Sequence, residues 1–193
     1  MPRLAFDRVA CLRGGRLLFE GMSFALAAGD AALLTGPNGI GKSSLMRIAA
    51  GLLRPGAGTV TREGGMAFAG EQAALDAALP LGRALGFWAG LDRVNADDVL
   101  RGLDAMGIAN LAQVPVRMLS TGQRKRAAIA RVIAGSAPIW LLDEPGNGLD
   151  AASLDRLGAA IAAHRAGGGI ALVATHQPLA LPDAVAIDLG ARA

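Results

Sequence analysis

Hydrophobic and polar positions change period several times along the chain, and each change marks an element. Leu4-Ala-Phe-Asp-Arg-Val, Arg16-Leu-Leu-Phe and Met22-Ser-Phe-Ala-Leu read as short strands, the last alternating with period two. The pair Gly14-Gly15 supplies a turn between the first two, so a small antiparallel layer opens the chain. Ala31-Ala-Leu-Leu-Thr is a further strand that runs into a glycine-rich turn. After it, residues 43–53 carry Leu45, Ile48 and Ala49 at helical spacing. Strands recur at 59–61 and 66–68 around Gly64-Gly65, and the pattern then turns helical between about 79 and 134. There Asn95 and Asp98 have the spacing of an N-terminal cap, Val99, Leu103 and Met106 share one face, and Gly107 stops the helix. Ile139-Trp-Leu-Leu and Ile170-Ala-Leu-Val-Ala are continuously apolar, as strands buried in a parallel sheet are, and the helix between them aligns Leu154, Leu157 and Ile161. No period of 20 to 50 residues repeats, which excludes a solenoid.

Composition narrows this picture. At 193 residues the chain fits one domain, with about 70 % of the unfolded surface buried. Only 18 % of residues are charged, against roughly 25 % in an average soluble domain, so much of the chain is buried in itself or against a partner. Disorder is excluded. The longest uncharged stretch, 166–182, is broken by three glycines, two prolines and His176, and cannot be a spanning helix. The opening residues lack a signal-peptide pattern, so a cytoplasmic location is expected. The single cysteine, Cys11, reads as a packing residue.

A net charge of +3 does not argue for nucleic acid, but the charges are unevenly placed. Between 105 and 142 there is no acid, whereas Arg117, Arg124, Lys125, Arg126 and Arg131 all fall there. A solvated helix face and a basic surface near phosphates both account for that run.

The sharpest chemical signal is Gly36-Pro37-Asn38-Gly39-Ile40-Gly41-Lys42-Ser43-Ser44, a G-x-x-x-x-G-K-[ST] sequence between a predicted strand and a predicted helix. Glycines let backbone N–H groups turn inward around phosphates, the helix directs its positive end there, Lys42 reaches the β and γ oxygens, and Ser43 ligates Mg²⁺. A bare tight turn followed by a lysine is a poor rival in that setting. The order of the glycines also departs from the dinucleotide-binding fingerprint.

Ile139-Trp-Leu-Leu-Asp143-Glu144 ends an apolar strand in two carboxylates, where a phosphate-loop nucleotidase holds its metal-binding aspartate. Asp143 is then the metal candidate, and Glu144 the candidate base for an attacking water. His176 follows another apolar strand, and ligands of open parallel sheets bind at the carboxyl ends of strands, which brings these groups to one crevice. Ser120-Thr121-Gly122-Gln123 has two readings. Ser120 and Gln123 make a capping box. Gly122 costs about 1 kcal/mol in a first helical turn, which points to a close approach by another backbone or by a ligand.

Together these motifs resemble the ATP-binding subunits of ABC transporters, in that family's order over nearly the whole chain. Residues 36–44 match Walker A, Ser120, Thr121, Gly122 and Gln123 match the signature usually written LSGGQ, and Asp143 with Glu144 match Walker B and the catalytic glutamate. Gln72 corresponds to the Q-loop glutamine, a further metal ligand, Asp150 to the D-loop and His176 to the switch histidine. The resemblance implies an α/β fold: a RecA-like P-loop core with a mainly parallel sheet, an antiparallel N-terminal layer, and an inserted helical subdomain at about 73–136 of a single domain 1–193. It implies ATP and Mg²⁺ as cofactors, Glu144 and His176 as catalytic groups, and a head-to-tail dimer sandwiching ATP. It also implies integral membrane partner subunits, a peripheral position on the cytoplasmic face of the inner membrane, and no nucleic acid.

The short chain, Gly86-Phe-Trp-Ala89 and Thr175-His-Gln-Pro-Leu179 look most like the branch of the family that serves haem export in cytochrome c maturation. Two departures stand out. The position where the family often stacks an aromatic on adenine falls near Arg13, and Gly146-Asn147 stands where a threonine-rich lead into the D-loop is common. Phe87 and Trp88 point about 100° apart on one helix, so either one is core and one exposed, or both anchor a membrane partner. Two other classes compete with transport: a non-transport ABC ATPase acting on DNA or ribosomes, and a small-molecule kinase, which leaves the signature and Glu144 unexplained.

Overall fold

The computed structural model describes residues 1–70, 74–177 and 179–190. Strands β1 (Arg3–Arg13) and β2 (Arg16–Ala27) form a hairpin in which Arg13 pairs with Arg16 across Gly14 and Gly15, both at positive φ. The two short strands expected at 16–19 and 22–26 are one continuous strand. β4 (Ala57–Glu63) joins on the other side, giving an antiparallel sheet in the order β2-β1-β4. Phe6 and Phe24 stack across it, 4.4 Å between ring centroids.

The second sheet holds β3 (Ala31–Thr35), β5 (Met66–Ala69), β6 (Ile139–Asp143), β7 (Ile170–Ala174) and β8 (Val185–Asp188). Its order is β5-β6-β7-β3-β8, and every pairing is parallel. All five residues of β6 and of β7 are buried, which is why those sequences carry no alternation. β8 was not anticipated. It is an edge strand of four residues with only Ile187 buried, so its pattern is too short and too polar to register.

One face of the parallel sheet packs on α1 (Lys42–Ala49) and the antiparallel layer, through Leu34, Leu141, Leu172, Leu45, Ile48 and Phe19. The opposite face packs on α2 (Leu81–Asp92), α3 (Ala96–Ala105), α4 (Thr121–Ala134) and α5 (Ala151–Ala166), through Leu142, Leu85, Leu103, Ile129, Leu157 and Ile161. α1 stops four residues before the expected end. Gly51 takes φ 74, Leu52 N–H donates back to Arg47 O at 2.8 Å, and the Arg62 guanidinium of β4 donates to the carbonyls of Ile48 and Ala49. The last carbonyls of the helix are thereby satisfied by a glycine turn and a cation together. In α3 the Asn95–Asp98 capping box is present, and Gly102 lets α4 approach so closely that a Cβ there would collide with the Ala130 carbonyl. Among the described residues, no helix is long and apolar enough to cross a membrane.

Candidate active site

The register of the parallel sheet decides where the chemistry lies. Leu34 and Asp143 both align with Ala174, so the turn after β3, the end of β6 and the residue pair after β7 open at one edge. The turn from β3 into α1 needs glycine: Gly36, Gly39 and Gly41 have φ of 134°, 81° and 118°, which side-chain-bearing residues rarely adopt. Gly41 caps α1 and is followed directly by Lys42, only 6 % exposed. The Lys42 ammonium donates to the carbonyls of Gly36 (2.7 Å) and Pro37 (3.3 Å), so the loop itself fixes where the charge stands.

Asp143 and Glu144 are adjacent but differently placed. The Asp143 carboxyl is buried, and its pKa is raised, first by desolvation and also by the neighbouring Glu144; a hydrogen bond with the Ser43 side chain acts in the opposite direction. Among the described residues, Asp143 Oδ1 is buried with no hydrogen-bond partner, which is costly for a carboxylate. Glu144 takes φ 49°, and its N–H donates to Ala174 O on β7 at 2.8 Å. That turn swings its carboxylate to a different place: Oε2 lies 2.9 Å from His176 Nδ1 and Oε1 lies 3.8 Å from Lys42 Nζ. His176 N–H also donates to Oε2, at 3.3 Å.

α4 begins with the capping box, Ser120 N–H donating to Gln123 Oε1 and Gln123 N–H to Ser120 Oγ. The second reading of this stretch holds as well, because a Cβ on Gly122 would lie 2.9 Å from the carbonyl oxygen of Gly148, so another backbone does come close. Asp150, two residues further on, caps α5 by accepting from Ser153 N–H at 2.8 Å.

A cleft of about 870 Å³ unites most of these groups. Of the expected residues, Asn38, Gly39, Gly41, Lys42, Ser43 and Ser44 line it, together with Thr121, Asp143, Glu144 and His176. Gly36, Pro37, Ile40, Ser120, Gly122 and Gln123 do not line it. Gly36 and Pro37 act one step back, through the carbonyls that hold Lys42. Gln72 lies outside the described residues. Arg13, the expected base contact, is exposed at the hairpin tip and does not line the cleft, whereas Leu18 of β2 does. Leu18 presses on the phosphate loop, since a Cβ on Gly41 would sit 3.2 Å from its Cβ. Arg124 and Lys125 of α4 also line the cleft, as the reading of the basic run as a surface near phosphates expects, and so do Ala128 and Asn147, which the sequence reading missed as lining residues.

Phe87 and Trp88 differ in exposure, but neither belongs to the buried core. Phe87 is 63 % exposed; Trp88 is half-buried, donates its indole N–H to Ala74 O at 2.6 Å, and stacks under the Arg131 guanidinium at 4.6 Å.

A glycine-built anion loop, a buried carboxylate at the end of a parallel strand, and a glutamate held against a histidine define a P-loop nucleotide-hydrolysing site. The ABC transporter family model matches residues 19–147, and the chain belongs to that family as one of its ATP-binding, ATP-hydrolysing subunits. It is 60 % identical over 187 residues to the cytochrome c biogenesis ATP-binding export protein CcmA of Sphingopyxis alaskensis, covering 97 % of this chain and 96 % of that protein. The protein of the same name from Novosphingobium aromaticivorans is 56 % identical over 173 residues, 90 % of this chain and 88 % of its own. A solved ABC transporter-type ATP-binding chain from Pyrococcus furiosus superposes with a TM-score of 0.88 over 99 % of each chain at 21 % identity, a likeness of fold.

Proposed function

We propose that this chain powers an export system for cytochrome c biogenesis, with haem as the cargo moved by its membrane partners. The names of relatives at 60 % and 56 % identity support the system, and the placement of Glu144 between Lys42 and His176 supports the chemistry. In this reading backbone N–H groups of the 36–44 turn and the start of α1 cradle the phosphates, and Lys42 turns its ammonium from its own loop onto the β and γ oxygens. Glu144 accepts a proton from the water that attacks the γ phosphorus as the bond to the ADP oxygen breaks. His176, hydrogen-bonded to Glu144, orients that carboxylate and the γ phosphate.

The Ser43 hydroxyl and the orphaned, buried Asp143 Oδ1 are hard oxygen donors at the correct end of the strand, and they fit Mg²⁺, with Gln72 as a further ligand. Held there, such an ion would supply positive charge to offset the negative charge of the phosphates during transfer. Ser120, Thr121, Gly122 and Gln123 at the start of α4 serve the nucleotide of a second copy in a head-to-tail dimer, the helix presenting its positive end to the γ phosphate. The dimer sits against the cytoplasmic face of the inner membrane, and the inserted helical segment 73–136 meets the membrane subunits there.

A strain lacking this chain tests the reading. Loss of haem-stained c-type cytochromes is expected, restored by the parent chain and not by Glu144→Gln. If c-type cytochromes persist in that strain, the assignment to their biogenesis fails.

A further inference from the structure

The first two turns of α4 break a local rule. Arg124, Lys125 and Arg126 come directly after the capping box, and no acid stands in the first turn. A helix amino end carries partial positive charge, so a cation there is disfavoured unless something compensates. Arg126 is within electrostatic reach of the Asp150 carboxylate, and Arg124 and Lys125 line the nucleotide cleft. Lys125 reaches 18 residues along the chain: its ammonium donates to the main-chain carbonyl of Asp143 at 3.2 Å.

That carbonyl belongs to the peptide joining Asp143 to Glu144. A peptide is planar, with N–H and C=O pointing opposite ways, so fixing both polar ends fixes its orientation. β7 holds one end, through Glu144 N–H on Ala174 O at 2.8 Å. On the other side β5 ends at Ala69, paired with Leu142, one residue short of Asp143, and Lys125 supplies the donor beyond it. The orientation matters because Glu144 sits at φ 49°, a left-handed conformation that is strained for a side-chain-bearing residue and persists only where the surroundings over-determine it. α4 is pinned to the same stretch a second time, by Gly122 against the Gly148 carbonyl.

We propose that Lys125 is a positioning residue: from α4 it clamps the Asp143–Glu144 peptide so that the Glu144 carboxylate stays between Lys42 and His176, and displacement of α4 is felt at that peptide. The proposal rests on the reading of Glu144 as the hydrolytic base. It gives the helical subdomain a route to the hydrolytic carboxylate within one chain.

Lys125→Met and Lys125→Arg test it in the full chain. Because Lys125 also lines the cleft, rates are compared at saturating Mg-ATP, where the methionine variant is expected to hydrolyse roughly 10- to 100-fold more slowly than the parent, the cost of a slightly misplaced group. The arginine variant, able to donate to the same carbonyl, recovers most of the rate. A second readout does not depend on turnover. The chain has two histidines, and in nucleotide-free protein the ring resonances of His176, which touches Glu144, should move in Lys125→Met and return in Lys125→Arg. Those of His164, stacked on Trp140 at 3.9 Å, should stay. An unmoved His176, joint movement of both histidines, or hydrolysis within about twofold of the parent in the methionine variant overturns the proposal. If the parent chain itself fails to hydrolyse ATP, the reading of Glu144 falls, while the histidine readout still decides the clamp.

Discussion

The parallel sheet and the α2–α4 helices treat their apolar residues in opposite ways. β6 and β7 bury every residue, and the chemistry hangs on Asp143 at the end of β6 and on Glu144 and His176 just beyond the two carboxyl ends, held in place by backbone ladders. α2 and α3 leave Phe87, Leu91 and Leu100 more than half exposed, while their inner residues Leu85 and Leu103 are buried completely. A reacting group has to be held to a fraction of an ångström, and a strand buried on both faces provides that. A surface that receives another protein has to keep apolar side chains in reach until the partner arrives. The nucleotide edge is accordingly built for precision, and on the reading proposed above the helical side receives the membrane subunits, so substitutions in each should fail in different assays.

Glu144→Gln gives the largest separation. An amide of the same size keeps the contacts that place it but accepts no proton, so hydrolysis should fall by about 10²- to 10⁴-fold while Mg-ATP binding persists. Phosphate release and nucleotide binding, measured side by side, check this, and an ATP-dependent dimer trapped on a sizing column is expected. Turnover at the parent rate would move the base elsewhere, with His176 next in line.

Gly102→Ala strikes the helical side alone. The added methyl group collides with the Ala130 carbonyl where α3 crosses α4, and backbone cannot yield as a side-chain end can. A loss of about 1–3 kcal/mol in denaturant unfolding is expected, with ATP affinity little changed because the phosphate loop lies on the other side of the sheet. Equal stability would mean that the two helices separate freely.

Much of this contrast was legible in the sequence because the residues obey local rules. The phosphate loop is readable since only glycine tolerates φ of 81° to 134° at three of its positions, and β6 and β7 since double-sided burial removes alternation. The capping boxes at Asn95 and Ser120 were readable from spacing alone. The features that escaped depend on tertiary contact. β8 becomes a strand because β3 offers it an edge, and nothing within Val185–Asp188 requires it. The end of α1 is set partly by Arg62, which arrives from β4. Leu18 obeys an ordinary strand pattern, and only the fold brings it against Gly41. Trp88 looked like a free anchor because the sequence shows neither the Ala74 carbonyl nor Arg131 beside it.

On the proposed reading, the attachment surface is narrower than the aromatic pair suggests. Phe87 and Leu91 stand four residues apart on α2, each 63 % exposed, with Phe87 meeting Trp88 edge to face at 5.6 Å between ring centroids. Replacing both with serine should leave stability within about 0.5 kcal/mol, as for surface changes generally, and should weaken co-purification with the membrane subunits from detergent extracts. Trp88→Ala should instead cost stability, by loss of its hydrogen bond and its cation–π contact. Normal pull-down by the double variant would place the attachment surface elsewhere.

The smallest expected effect concerns the base of the nucleotide, and it tests whether the precision of the phosphate end extends along the whole cleft. Leu18 and Ala128 are the aliphatic side chains that line it, and Leu18 is the one that abuts the phosphate loop. A branched aliphatic side chain offers a purine burial and dispersion but no hydrogen bond, so the 6-amino group of ATP and the 6-keto group of GTP look alike to it. ATP and GTP should then compete for binding within about tenfold of each other, and Leu18→Ala should weaken both by a similar factor, on the order of 1 kcal/mol for the apolar area lost. A preference for ATP above about a hundredfold, some 2.7 kcal/mol, requires a polar group reading the purine edge, and the base would then lie away from Leu18.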